Sequence, residues 1–192
     1  MKERKNLPKK ILNLEEKIFE VAWKLFSEEG YENVDMKAIA KGCGIAVGTL
    51  YNYYGNKKEL FIKVLGASWS STFEKINTEV EGIKDKKDYI LKVIQILYAD
   101  IKDRSGMGKY LIDSNYISKE EINTIQNEII SKIYLILMNG IEYQESSEER
   151  EYKVKKLTHL IICNVVLLAR LYPKDDEANI QFLSRIVNEN SI

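Results

Sequence analysis

Proline, histidine and cysteine are nearly missing from this chain, and each scarcity closes off a class of protein. Two prolines in 192 residues leave most of the backbone free to be helical. With a single histidine, His159, a hydrolytic triad would need Cys163 or a serine brought beside it. Cys163 lies four residues further on, but in an apolar run that would not stabilise a thiolate. Cys43 and Cys163 have no metal-ligand spacing and need not pair, which suits a reducing cytoplasm. No phosphate-cradling glycine loop is present either. The expectation is a chain with no catalytic residues, no cofactor and no metal site.

Net charge and long hydrophobic runs are lacking too. The most apolar stretch, Leu157 to Tyr172, is too short to span a bilayer and is interrupted by His159, Asn164 and Arg170. No apolar core follows the basic start, so no signal peptide is read and a cytoplasmic protein without membrane contact is expected. The charge sums to zero but is unevenly spread: 11 Lys/Arg face 9 Asp/Glu through Ile62, and 18 face 20 beyond it. Lys2, Arg4, Lys5, Lys9 and Lys10 crowd the first ten residues against Glu3 alone. A solvated tail accounts for that bias about as well as an arm tracking a DNA backbone does.

What is present is helical periodicity. Hydrophobic residues at 45% and charged residues at 30% fit a globular chain. Asn13 and Glu16 form a capping-box pair ahead of the stripe Ile18, Val21, Ala22, Leu25 and Phe26, with Gly30 as the stop. Asp35 is placed to cap a short second helix that turns Met36, Ile39 and Ala40 inward, and Gly42 and Gly44 break the chain after it. A third short helix is expected from about Ala46 to Asn52, and Asn56 with Glu59 opens a fourth that runs to about Val80. Ile90, Val93, Ile94, Leu97 and Ile101 mark a fifth. A short helix over 109–115 is possible, and Ser118 with Glu121 caps one that ends near Gly140. A long helix ending before Pro173 and a last one after Asp175 complete the chain. The expected fold is all-α: an N-terminal three-helix unit over residues 1–62, then a bundle of about six helices over 63–192.

The segment Phe26 to Phe61 is the informative one. It reads as two short helices joined by a glycine turn and braced by the first helix, the layout of a helix-turn-helix. Such a unit carries the start of its second helix into the major groove, here Ala46-Val47-Gly48-Thr49, whose small residues permit close approach. Gly30-Tyr31, Ile39-Ala40, Gly44-Ile45, Gly48-Thr49-Leu50-Tyr51, Tyr53-Tyr54, Lys57 and Glu59-Leu60 together resemble the signature of TetR-family transcriptional regulators, in order and spacing. The resemblance covers roughly residues 12 to 62.

The resemblance implies that Val47, Gly48 and Thr49 face bases and phosphates, that Tyr51 donates to a phosphate, and that Asn52 follows at a contacting position. It makes Lys57 a phosphate partner and Lys37 a weaker one. Ile45, Leu50 and Tyr53 are read as core of the unit. Two residues depart from the family pattern: Ala46 stands where serine is common, and Asp35 where threonine is. With Ala46 and Val47 both apolar, contact with thymine methyl groups enters the expected specificity.

Beyond residue 62 the helix through Leu160, Cys163, Leu167 and Leu171 is apolar on every side, which implies one face against its own bundle and one against a partner. The resemblance implies a homodimer joined through the last two helices. Leu160, Cys163, Leu167, Leu171, Leu183, Ile186 and Val187 are the interface candidates, and double-stranded, palindromic operator DNA is the partner. It also implies a small apolar or amphipathic effector held in the bundle, with Trp69, Phe73, Tyr98, Tyr110, Tyr134 and His159 as candidate lining. A repressor released by that effector is the leading expectation. The alternative is a DNA-binding dimer governed by a protein partner, or with a structural chromosome role, and no small ligand.

Overall fold

A computed structural model describes residues 12–104, 107, 119–141 and 146–189. All regular structure among them is helical: α1 (Leu12–Asn33), α2 (Met36–Cys43), α3 (Val47–Tyr53), α4 (Lys57–Glu79), α5 (Lys86–Asp103), α6 (Lys119–Gly140), α7 (Ser147–Leu171) and α8 (Asp176–Glu189). The basic arm, the helix expected over 109–115, Ser118 and Tyr110 lie outside the described residues. No described helix is long and apolar enough to cross a membrane. The chain divides into two compact units between Leu65 and Gly66.

The first unit closes over Ile18, Ala22, Phe26, Ile39, Leu50, Leu60 and Phe61, all without exposed surface. α1 is broken at Gly30, the residue expected to stop it, whose φ of 80° is the left-handed region that glycine tolerates, and helical turn resumes beyond it to Asn33. The chain beyond that break carries Tyr31 against Phe61, with ring centroids 5.0 Å apart, and Phe61 meets Phe26 edge-on at the same distance. Lys57, opening α4, ties the cluster down. Its Nζ donates to the carbonyls of Tyr31 and Val34 at 2.6 and 2.8 Å and lies 4.2 Å over the Tyr31 ring. These are carbonyls at the end of α1, which a cation satisfies well.

Two expected caps take their places. Asp35 accepts from the Ala38 amide at 2.7 Å, and Asn56 from the Glu59 amide at 2.9 Å. Glu59 reaches back to the Gly55 amide at 3.0 Å, one residue ahead of the Asn56 amide that a capping box predicts. The core tyrosine of the α3 end is Tyr54, 4% exposed, whereas Tyr53, expected in the core, is only half-buried.

In the second unit α8 packs on α5 and α7, and α7 also packs on α5 and α6. The expected stripe of α5 is buried throughout, from Ile90 to Ile101. Asp85 caps that helix, accepting from Lys87 and Asp88 at 2.9 Å, a cap the sequence reading missed. Arg104, at the C-terminal end of α5, is buried, and its guanidinium donates to Ser68, Thr72 and the Asp100 carbonyl. Burial there pulls its pKa down, while Asp100 beside it favours the charge. Gly140, expected as a stop, is the last residue of α6 and serves close packing, since a Cβ there would stand 2.5 Å from Tyr89 Cδ1.

Lys57→Met, which keeps the stem and removes the ammonium, is expected to destabilise the first unit by about 2 kcal/mol, as lost charged hydrogen bonds do. Urea titration with a probe in that unit checks it. An unchanged midpoint would contradict the anchoring role.

Candidate nucleic-acid interface

The turn between α2 and α3 is fixed by backbone chemistry. Gly44 takes φ 70°, ψ 34°, and its amide bonds to Lys41 O at 3.1 Å while the Ile45 amide bonds to Ala40 O at 3.0 Å. That pair of bonds is the Schellman ending, which a left-handed residue completes. Gly42 does not break the chain as expected. It lies within α2, where a Cβ would come 2.6 Å from Val21 Cγ1, so α2 sits tightly on α1.

From that turn α3 projects a mostly neutral, exposed face. Leu50 is its buried anchor, while Gly48, Tyr51 and Asn52 are exposed at i, i+3 and i+4, with Tyr51 50% exposed. Ala46 caps α3 without a side-chain hydrogen bond, as the missing serine hydroxyl implied, and is exposed; Val47 and Thr49 are half-buried beside it. Gly48 is informative because its fold does not need it. Its φ is not positive, and a Cβ there would meet nothing within 4 Å. Lys37 is exposed on α2, and Lys41, which the sequence reading passed over, is exposed one turn further along. Lys57 is a correction: the candidate phosphate contact has its ammonium turned inward onto Tyr31 and Val34.

The second unit holds two adjoining clefts between α4 and α6. One, of about 440 Å³, is lined by Ser70, Phe73, Asn77, Lys132, Leu135 and Ile136 among others. The other, of about 170 Å³, lies against Trp69, Phe73, Ile125 and Ile129. Lys132 belongs to both, with its Nζ 3.0 Å from Glu128 and 5.2 Å from the Phe73 ring centroid. Of the candidate lining residues, Trp69 and Phe73 stand at these clefts. Tyr98, Tyr134 and His159 do not. The Tyr98 hydroxyl is buried in a clamp, donating to Asp176 at 3.2 Å and accepting from Asn179 at 2.8 Å, and Lys102 completes it by pairing with Asp176 at 2.6 Å. Tyr134 is half-buried under Lys155, and His159 is exposed with Nδ1 2.8 Å from the Lys155 carbonyl.

On α7 the residues Leu160, Cys163, Leu167 and Leu171 are exposed at spacings of three, four and four, which on a helix is one face. Leu167 and Leu171 are 49% and 57% exposed. That helix therefore leaves one apolar face open within the protomer. Leu183 and Val187 are a second correction: both are wholly buried in the protomer's own core, and Ile186 is half-buried. Phe182, unremarked in the sequence, is the large exposed hydrophobic residue of α8, at 52%.

Comparison with known proteins narrows the reading. The profile of the family described as bacterial regulatory proteins, tetR family, matches residues 18–64. An HTH-type transcriptional regulator of Staphylococcus aureus (strain bovine RF122 / ET3-1) is 37% identical over 84 residues, 40% of this chain and 45% of that protein. The chain thus spans less than half of that relative. Two solved structures share the fold over nearly the whole chain. A tetR-family transcriptional regulator from Streptomyces coelicolor gives a TM-score of 0.77 at 16% identity, covering 93% of this chain and 80% of that one. The regulator FadR from Bacillus subtilis, in complex with stearoyl-CoA, gives 0.71 at 17%, covering 92% and 97%. Residues 18–64 thus match the tetR-family profile of bacterial regulatory proteins, and along most of its length the chain shares the fold of a tetR-family regulator.

Proposed function

We propose that this protein is a homodimeric transcriptional regulator that reads palindromic operator DNA with α2 and α3. The observation that carries the reading is Gly48. A glycine inside a helix costs roughly 1 kcal/mol relative to alanine, and the fold has open space for the missing methyl. A residue kept bare at that cost, on an exposed face, is suited to close approach by a large partner. Tyr51 and Asn52 flank it with a hydroxyl and an amide, and Lys37 on the preceding helix supplies positive charge for a phosphate. Val47 and Thr49 line the same edge.

Two copies meet, in this proposal, through the exposed stripe Leu160, Cys163, Leu167 and Leu171, joined by Phe182 and the open side of Ile186. An isologous contact of that kind sets two reading heads against two half-sites. Occupancy is controlled by a small amphipathic molecule in the clefts between α4 and α6. The larger, at about 440 Å³, falls in the range of ligand sites, and its apolar wall with Lys132, Ser70 and Asn77 beside it suits a chain with a polar head. The bound stearoyl-CoA of the similarly folded FadR is of that chemical class. Release of the operator on ligand binding makes the protein a repressor. The open clefts favour this over control by a protein partner alone.

Gly48→Ala is expected to raise thermal stability while weakening duplex binding; equal affinity with the alanine would take this face off the DNA. Leu167→Glu should convert the dimer to monomers in sedimentation velocity, and an intact dimer would refute the stripe as interface. Stearoyl-CoA should release bound duplex, and Ile136→Trp, which fills the larger cleft, should abolish that release. Release unaffected by the filled cleft would place the effector elsewhere.

A further inference from the structure

We infer that α3 reads A·T base pairs, with Asn52 on an adenine edge and Ala46 and Val47 against thymine methyl groups in each half-site. The inference rests on the DNA-binding reading above and names what that surface selects.

From Ile45 to Asn56 the chain has no charged residue. Guanine is read in the major groove chiefly by arginine or lysine on O6 and N7, and cytosine N4 by aspartate or glutamate. Neither chemistry is available on this helix. Three neighbouring cations do not supply it. Lys37 and Lys41 belong to α2, the helix that crosses the backbone in such units, and Lys57 is turned onto the end of α1.

What the face offers instead is specific. Asn52 is exposed and presents a donor and an acceptor side by side, the complement of adenine N6 and N7. Ala46 is exposed and Val47 half-exposed, both ending in methyl groups, and a thymine C5-methyl is the apolar feature of the major groove. Gly48, between them and Asn52, lifts no side chain off the helix, so nothing at that position holds the Ala46 and Val47 methyl groups away from the groove floor.

The test is selection of bound duplexes from a random pool with the full chain, then titration of the winning site. The selected half-sites are expected to hold A·T pairs at their most constrained positions. Replacing the contacted thymines by uracil, which removes only the methyl, should weaken binding about fourfold per thymine, the worth of one buried methyl. That penalty should shrink in Ala46→Gly. Asn52→Ala, an exposed change whose folding circular dichroism verifies, should lose at least about fivefold discrimination at one adenine. Half-sites centred on invariant G·C pairs, or indifference to uracil, would overturn the inference and leave DNA binding standing. A chain that retains no duplex from the pool would overturn both.

Discussion

The angle between α2 and α3 is the constraint on which the first unit depends. It is set by one left-handed residue, Gly44, whose turn lets two amides bond back into α2, and by Gly42, whose missing Cβ allows α2 to rest on Val21. A side chain at either position acts on that geometry, through strain at the first and collision at the second. With the angle held, Leu50 is driven into the core, and Gly48, Tyr51 and Asn52 are turned outward together. Lys57 and the cluster of Phe26, Tyr31 and Phe61 hold the end of α1 against the start of α4, so the platform under the turn is tied at its other end too. The outward face is a consequence of where the glycines are.

In the second unit the same chain solves a different problem. A helix with apolar residues all round has to hide more than one side, and α7 hides only part of its surface within the protomer. Its partner helix α8 turns Leu183 and Val187 inward and leaves Phe182 outside. The clamp of Lys102, Asp176, Tyr98 and Asn179 fixes the start of α8 on α5 and so sets the line along which these exposed residues are presented. Lys102 raises its own charge affinity by pairing, and it holds the Asp176 carboxyl below its usual range.

Much of the fold was legible because its signals are local. A cap such as Asp35 or Asn56 acts within three residues, and the stripes of α1 and α5 repeat every turn, so both can be read without knowing what lies opposite. The small residues that open α3 were legible for the same reason, since they are consecutive. What escaped was whatever depends on a distant neighbour. Lys57 looks like a surface cation until the carbonyls of Tyr31 and Val34, more than twenty residues earlier, are placed beside it. Gly140 ends α6 as its sequence suggests, but its close packing on Tyr89 shows only once that distant residue is brought against it. Tyr98 and the pair Leu183 and Val187 were misplaced because an apolar or aromatic residue on a helix does not declare which neighbour it faces.

The most direct measurement is a nuclear magnetic resonance titration of isotope-labelled protein with a short duplex at low salt, where sequence-independent contacts suffice for binding. Amide and side-chain signals of Ala46, Gly48, Tyr51 and Asn52 should move most, with those of Leu50 and Phe61 nearly still. Duplex binding that leaves residues 46–52 undisturbed while another surface responds would contradict the placement of α3 in the groove.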